Sequence, residues 1–289
     1  MTGKEKITAW LYVLPVIFIL GGLTIFPLFY SLRLSFTRWD MTAFGSVPQF
    51  AGVVNYIRLF LDARFYNALQ KTAIIVTGVI IAQTLLGMGV ALLLNREFKA
   101  RSILIALFLI PTMMSEIAAA LCWGLIFDAT YGPLNEILVI FNITPKRIVW
   151  LVDHPLLSII IADVWQWSPF IMLVTLAGLQ ALPKAVYEAA MLDGASGWRL
   201  FRFITLPLIT PIMAVGVILR SMDAVRMFGK IYMLTHGGPG SASETVAYYT
   251  YLEAFRFWDL PYASAMSFIL LVIVVILITL FFKLVQIEE

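Results

Sequence analysis

Residues 156–180 read LLSIIIADVWQWSPFIMLVTLAGLQ, a run of 25 residues in which Asp163 is the only charged side chain. The hydrocarbon core of a bilayer is about 30 Å thick, and an α-helix crosses it in about 20 apolar residues. The apolar residues of this run do not alternate with period 2, so the pattern favours a helix over a barrel strand. The stretch therefore predicts a membrane-spanning helix.

The whole chain has a composition that agrees with this run. Its 289 residues are 61% hydrophobic and 13% charged, whereas soluble domains are about 45–50% apolar and about 25% charged. Too few charges remain to cover a water-facing surface, which excludes soluble, disordered and collagen-like chains. The net charge of +3 is too small for a nucleic-acid-binding footprint. The single Cys122 can form no intrachain disulfide.

Six apolar runs are long enough to span a bilayer, and the sequence therefore predicts an all-α membrane protein with one transmembrane domain over residues 1–289. The first run follows Lys4 and Lys6, as the core of a signal peptide would. It stays apolar for too long and has no Ala-x-Ala cleavage site, so we expect an uncleaved span. The predicted spans are residues 10–32, 72–94, 103–127, 156–180, 206–225 and 263–284.

Basic residues near the span ends predict the orientation. Total counts on the two sides are similar, but three of the seven residues in segment 95–101 are Lys or Arg. That segment is the densest basic stretch, and it indicates a cytoplasmic loop. We therefore expect both termini on the cytoplasmic side and three outer loops rich in aromatic and turn-forming residues.

The loop between the fourth and fifth spans, residues 181–206, carries the most informative pattern. Helix-forming residues fill 184–193, and Gly194 follows as a helix-ending glycine. A second short helix is predicted at about 196–204, and Pro207 then opens the fifth span. Val186, Ala189 and Ala190 form a narrow face of small residues beside Glu188, suited to docking in a groove of another protein. The alternative is an amphipathic connector that lies on the lipid.

This loop resembles the cytoplasmic motif of permease subunits of bacterial ABC importers, which is Glu-Ala-Ala, three residues, Gly, nine residues, Ile-x-Leu-Pro. Segments 164–170, 231–240 and 44–60 are similar to the carbohydrate branch of that family, whose best-known members are the maltose-type permeases. The matching residues of the loop are Glu188, Ala189, Ala190, Gly194, Ile204, Leu206 and Pro207.

The resemblance implies a type I importer permease in the bacterial inner membrane, with those seven residues coupling it to an ATPase. It also implies a second homologous permease in a heterodimer, two copies of the ATPase subunit and an extracytoplasmic binding protein. The implied cargo is a di- or oligosaccharide that crosses by alternating access. The sequence contains no Gly-x4-Gly-Lys-Ser/Thr loop, so ATP and Mg²⁺ are expected on the partner ATPase rather than on this chain.

Polar side chains inside spans are costly and need a reason. Asp163, Gln166 and Trp167 share one face of a helix, where an aromatic plane beside hydrogen-bonding groups suits a sugar ring. The alternative is that Asp163 pairs with a neighbouring span. By position, the resemblance implies a substrate path that departs from the maltose-type pattern at Gln166 and Trp167. Its residues are Asp163, Gln166, Trp167, Phe170, Asp223, Ala224 and Met227.

Two further polar features lie in the predicted spans. Arg220, Asp223 and Arg226 are three residues apart, a spacing that predicts a charge ladder on one face of the helix. The alternative is a structural ion-pair network that faces the partner permease. Glu116 is expected to make an interhelical contact rather than to bind ligand. His154 and His236 have no Cys or second His at metal-binding spacing, so no metal site is predicted.

No catalytic motif is present, and the chain is expected to be a transport subunit and not an enzyme. Two other functions stay open. The same importer class could carry glycerol phosphate, a polyol or a peptide, because Arg220 and Arg226 suit an anionic group. Alternatively, an ion-coupled secondary transporter could use Asp163 or Asp223 as its proton site, although the inverted repeats typical of such proteins are not visible.

Overall fold

The computed structural model describes residues 3–286. Residues 1–2 and 287–289, on which the prediction of two cytoplasmic termini bears, lie outside the described residues. The structure is mostly helical, with one two-stranded sheet. Its helices are α1 Gly3–Leu20, α2 Phe26–Ser35, α3 Val54–Leu61, α4 Ala63–Leu94, α5 Arg101–Met113, α6 Glu116–Ile126, α7 Pro133–Ile140, α8 Trp150–Asp153, α9 Pro155–Ala181, α10 Lys184–Leu192, α11 Gly197–Leu200, α12 Leu206–Val225, α13 Gly229–Leu234, α14 Val246–Tyr251 and α15 Leu260–Gln286.

The described residues contain three π-helical turns, two of which join consecutive helices. Gly21–Ile25 connects α1 to α2, Phe201–Thr205 connects α11 to α12, and Leu252–Arg256 follows α14. By length and composition, five helical segments can cross a membrane, and α5 with α6 makes a sixth if the bent pair counts as one span. Contacts within the chain define two compact units, residues 3–65 with 249–272 and residues 66–248 with 273–286.

In the first unit, the strands β1 Thr37–Arg38 and β2 Gln49–Phe50 pair antiparallel, with Thr37 opposite Phe50. The buried Asn55 supports this pair, because its Nδ2 donates hydrogen bonds to the carbonyl oxygens of Ser35 and Thr37, both at 2.8 Å. The first predicted span is helical from α1 through the π turn to α2.

In the second unit, α9 is the central helix, and α4, α5 and α12 pack around it. Gly87 lets α4 approach α9 closely, because a Cβ at this position would lie 2.8 Å from the Cβ of Ile171 and 2.9 Å from the backbone nitrogen of Met172. The core on this side of the unit consists of Ala91, Leu94, Met172, Leu176, Leu179, Ile209 and Met213.

The third predicted span, residues 103–127, is not one straight helix. It is broken into α5 and α6, which meet at 98°. Met114 has an extended backbone with ψ 145°, and Ser115 caps the new helix by accepting a hydrogen bond from the N–H of Ala118 at 3.2 Å. Gln166 satisfies the carbonyl freed at the break, since its Nε2 donates to the oxygen of Met114 at 2.9 Å.

The second short helix predicted at 196–204 is present, as α11 and the π turn over Gly197–Thr205, but it is not separate from the fifth span. The chain is continuously helical from Gly197 to Val225, so α11 and the π turn form the beginning of the fifth span. Ser196 occupies the N-cap position but makes no side-chain capping bond. Leu206 and Pro207 therefore continue a helix that has already begun. The π turn before them, Phe201–Thr205, contains one residue more than an α-helical turn.

Candidate functional site

A cavity of about 260 Å³ lies in the second unit, between the fourth and fifth spans and the start of α6. Charged side chains dominate its wall. The lining residues are Glu116, Asp163, Trp167, Arg220, Asp223, Arg226 and Met227.

Asp163 is the centre of a buried ionic network behind this cavity, and it is only 1% exposed. Its Oδ1 accepts a hydrogen bond from Nζ of Lys230 at 2.7 Å. Its Oδ2 accepts from Nε2 of Gln83 at 2.8 Å and from Nη2 of Arg220. The network therefore ties together α4, α9, α12 and α13.

The network satisfies each of its members. Arg220 also donates from Nε to Oε1 of Gln83 at 3.1 Å, and its guanidinium lies 4.9 Å from the ring centroid of Trp167, a cation–π contact. A buried ion persists only when it is paired and its remaining hydrogen-bonding atoms are satisfied. Two cations around one carboxylate leave a positive excess, which Glu116 and Asp223 offset at the cavity edge, 3.9 Å from Lys230 and 4.0 Å from Arg220.

The predicted ladder of Arg220, Asp223 and Arg226 is divided by this arrangement. Asp223 forms its closer ion pair with Arg226, between Oδ1 and Nη2 at 3.0 Å. Arg220 instead turns to Asp163. The side chain of Arg226 is 67% exposed, so this cation is the most accessible one at the cavity.

The structure brings together four of the seven residues predicted for the substrate path, and Asp163, Trp167, Asp223 and Met227 line the cavity. The other three do not line it. Gln166 is buried and braces the break between α5 and α6, and Ala224 is buried. Phe170 packs edge-on against Trp167, with ring centroids 6.5 Å apart.

Sequence reasoning missed Lys230 and Gln83. Lys230 lies between the fifth and sixth predicted spans, where the sequence predicts an outer loop and a lysine usually faces water. In the structure α13 packs on α6, and the side chain of Lys230 is fully buried. Gln83 gave a usable signal, because it is a lone amide in the middle of the second apolar run. Glu116 contacts Lys230 across helices as predicted, and it also lines the cavity.

The loop after the fourth span forms a second candidate site. The helix predicted at 184–193 is present as α10, and Gly194 ends it with φ +83°, the left-handed conformation that favours glycine. The hydroxyl of Tyr187 donates to Oγ1 of Thr205 at 3.1 Å, which ties α10 to the beginning of the fifth span.

This loop presents much of its predicted docking motif to its surroundings. Glu188, Ala189 and Gly194 are exposed, Ala190 is buried, Ile204 and Leu206 are half-buried, and Pro207 is exposed. Large apolar side chains are exposed beside them. These are Val186, Met191, Leu192, Trp198 and Phe203.

Among the residues that the structure describes, no group of three His, Cys, Asp or Glu side chains could hold a metal ion. The carboxylates at the cavity are instead paired with Arg and Lys side chains. The charged groups and the indole of Trp167 can hydrogen-bond to and pack against a polar solute.

The family model described as binding-protein-dependent transport system inner membrane component matches residues 83–287. The chain is 36% identical over 274 residues to the trehalose/maltose transport system permease protein MalF of Thermococcus litoralis, which covers 94% of this chain and 91% of that protein. It is 30% identical over 277 residues to the lactose transport system permease protein LacF of Rhizobium radiobacter, covering 94% and 91%.

A solved structure has the same fold. The crystal structure of a bacterial ABC transporter involved in the import of the acidic polysaccharide alginate contains a chain that matches with a TM-score of 0.83 and 20% identity, over 98% of this chain and 96% of that one. The predicted type I permease fold is thereby confirmed.

Proposed function

Since the chain belongs to the family of binding-protein-dependent transport system inner membrane components, we propose that it forms half of the translocation path of an ATP-driven carbohydrate importer. As a member of this family, it is a multi-pass inner membrane permease. Its role is to bind and pass the solute, while a separate subunit hydrolyses ATP.

The charge balance of the cavity carries the proposal of a neutral cargo. Arg220 and Lys230 pair with Asp163, and Arg226 pairs with Asp223. An anionic solute would have to displace a carboxylate from one of these pairs, whereas a neutral solute need only hydrogen-bond at their edges. Trp167 adds an aromatic face at the same wall, and the relatives named for trehalose, maltose and lactose support a sugar.

The energy for transport enters through α10. We assign Glu188, Ala189, Ala190, Gly194, Ile204, Leu206 and Pro207 to the surface that docks on the ATPase. Tyr187 links α10 to Thr205, and the helix that follows is continuous to Val225. A displacement of α10 therefore reaches Arg220 and Asp223, which lie near the other end of the same helical segment, without crossing a flexible joint.

The remaining parts of the machine come from other chains. A second permease completes the path, two ATPase subunits hold ATP and Mg²⁺ below it, and a binding protein delivers the sugar from outside. ATP-driven closure of the ATPases shifts the population toward the outward-open state, and hydrolysis returns it. Both termini lie on the cytoplasmic side in this arrangement, the side on which α10 meets the ATPase.

An anionic solute such as glycerol phosphate is the second candidate, because Arg226 is well exposed at the cavity. The ion-coupled alternative is disfavoured by the network around Asp163. Both of its carboxylate oxygens are already bonded to Lys230, Gln83 or Arg220. Such a carboxylate offers no free oxygen to a travelling proton.

A solute screen tests the proposal. The reconstituted complex of both permeases, the ATPases and the binding protein is assayed for ATP hydrolysis with trehalose, maltose, lactose, glycerol and glycerol 3-phosphate. We expect stimulation by a neutral di- or oligosaccharide and none by glycerol phosphate. Stimulation by glycerol phosphate alone would replace the carbohydrate by the anionic cargo, and sugar uptake without any ATPase subunit would refute the importer.

A further inference from the structure

Glu116 differs from the other two carboxylates of the cavity. Asp163 has both oxygens hydrogen-bonded and is buried, and Asp223 is paired with Arg226. The side chain of Glu116 is 40% exposed and makes no hydrogen bond within the described part of the chain. Its nearest cation is Lys230, whose Nζ lies 3.9 Å from Oε1, beyond hydrogen-bond range.

The surroundings of Glu116 attract this carboxylate without a hydrogen bond to it. Glu116 is the first residue of α6 and follows Ser115, the N-cap of this helix. At this position a carboxylate interacts favourably with the positive end of the helix. Lys230 attracts it from one side without bonding to it. The carboxylate is therefore positioned by elements that do not use its lone pairs.

The chain also leaves room for Glu116 at Gly229, the residue before Lys230. Gly229 lies directly against it, and a Cβ built on Gly229 would come within 2.8 Å of Oε2. Any side chain at this position would displace the carboxylate from its place at the cavity. The absence of a side chain at residue 229 thus allows the carboxylate of Glu116 its place at the cavity.

We propose that Glu116 is the hydrogen-bond acceptor for a pair of adjacent hydroxyl groups of the transported sugar, and that it determines which sugars pass. This inference rests on the proposed function. A carboxylate has two coplanar acceptor oxygens, which match the two O–H donors of a vicinal diol. Asp163 and Asp223 would have to exchange hydrogen bonds with cations for this role, whereas Glu116 has no hydrogen bond to give up in the described part of the chain.

The test uses proteoliposomes that contain the complete transport complex with saturating binding protein and either trehalose, maltose or lactose. Two quantities are measured, the ATP hydrolysed and the sugar delivered. For Glu116→Gln we expect at least about a tenfold fall in sugar delivered per ATP, because a hydrogen bond to a charged acceptor is lost. The rate of ATP hydrolysis stays within twofold, since docking of the binding protein is unaffected.

A second variant and a control accompany this measurement. Gly229→Ala, which displaces the carboxylate without removing it, is expected to lower the ratio in the same direction. Glu97→Gln, an exposed carboxylate outside the cavity, is expected to leave it unchanged.

Deoxy analogues identify the contact itself. Analogues of the transported sugar that lack one hydroxyl are supplied in the same assay. In the wild type, removing either of two adjacent hydroxyls should lower delivery as strongly as Glu116→Gln does, and in that variant the same analogues should cause no further loss.

Three results would overturn the inference. The first is a delivery ratio in Glu116→Gln within twofold of the wild type. The second is an equal fall of ATP hydrolysis and delivery, which indicates a structural role. The third is a wild-type complex that delivers no sugar at all, which overturns the proposed function together with this inference; the first two leave the proposed function intact.

Discussion

Nζ of Lys230 lies 2.7 Å from Oδ1 of Asp163, and both side chains are buried. The pair joins a short helix after the fifth span to the middle of the fourth. Because Arg220 binds the other oxygen of the same carboxylate, Asp163 holds two buried cations at once. Removing the anion and removing one cation are therefore not equivalent changes.

The stability of the network should depend on which member is lost. Asp163→Asn leaves Lys230 and Arg220 both buried without their carboxylate, and we expect a loss of about 3–5 kcal/mol, as for a broken buried ion pair. Lys230→Met leaves Asp163 bound to Arg220 and Gln83, so its loss should be smaller. The measurement is the melting temperature of the purified protein in detergent.

An exposed ion pair serves as the control for this comparison. Arg147 pairs with Glu136 at half-exposed positions, and Glu136→Gln should cost at most about 1 kcal/mol. If Asp163→Asn melts at the same temperature as Lys230→Met, the carboxylate is not the centre of the network.

Alanine substitutions at two glycines of α4 distinguish the effect of close helix packing on stability from the effect of helix propensity. Gly87→Ala places a methyl group against Ile171 and the backbone of Met172 and should destabilise the protein by about 1–3 kcal/mol. Gly89→Ala meets nothing within 4 Å and should be neutral or stabilising. Thermal unfolding of both variants checks this, and equal melting temperatures would show that α4 does not approach α9 as closely as described.

Substitutions in the loop 181–206 should leave insertion of the protein into the membrane unchanged but should impair the coupling of ATP hydrolysis to the sugar. Gly194→Val forces a β-branched residue into a left-handed conformation, at a cost of about 1–2 kcal/mol. Glu188→Lys reverses the charge at the surface that we propose to dock on the ATPase. We expect both variants to reach the membrane in normal amounts and to lose at least about tenfold in sugar-stimulated ATP hydrolysis, equivalent to about 1.4 kcal/mol.

Asp193→Asn, at the neighbouring exposed position, is the matched control for these two variants and should retain wild-type coupling. Survival of sugar-stimulated hydrolysis in both Gly194→Val and Glu188→Lys would refute the coupling role of this loop.

The first unit should lose stability in acid through Asp62. Burial acts to raise the pKa of this carboxyl. Hydrogen bonds from the hydroxyls of Tyr262 and Tyr249, at 2.6 and 2.7 Å, together with backbone N–H groups of the next residues, outweigh burial and hold the pKa below its ordinary value. A carboxyl with a lowered pKa stabilises the fold above its unfolded value, about 3.9, and this stabilisation is lost as the pH falls through the folded value.

Tyr262→Phe removes one of these donors and keeps the ring that Arg58 covers at 3.8 Å. We expect about 1–3 kcal/mol of destabilisation at neutral pH and a smaller difference from the wild type at pH 3. The check is the melting temperature between pH 7 and pH 3, with Tyr131→Phe, an exposed loop residue, as control. A difference that does not change with pH would exclude the hydrogen bond to an ionised Asp62.

Hydropathy predicted the membrane class, and the loop motif predicted the family, because both depend on residues close in sequence. The break at Met114 and Ser115 was hidden because residues 103–127 are apolar throughout, so composition alone could not separate one helix from two. Pro111 and the capping Ser115 were the local signals of that break. Gly194 and Ser196 correctly mark the start of a helix at Gly197. The sequence contains no comparable signal that this helix continues through Pro207 to Val225, so its continuity with the fifth span was missed.

The candidate site was only partly predictable for a different reason. Helical spacing placed Asp163 and Trp167 on one face, but it could not say which cations reach Asp163. Lys230 follows Asp163 by 67 residues and Gln83 precedes it by 80, so the network forms only through packing of helices distant in sequence. Spacing likewise suggested Arg226, Asp223 and Arg220 as one ladder, whereas packing gave Arg220 a better partner.

The measurement that tests the central claim most directly is a crosslink from α10 to a nucleotide-hydrolysing subunit. In a Cys122→Ser background, Val186→Cys carries the probe on the exposed face of α10, and Phe44→Cys, at an exposed position between β1 and β2, serves as its control. The account predicts that a short bifunctional thiol reagent joins residue 186, but not residue 44, to the ATPase subunit in membranes. If residue 186 forms crosslinks only to proteins other than the ATPase, in membranes where the ATPase is present, the account is contradicted.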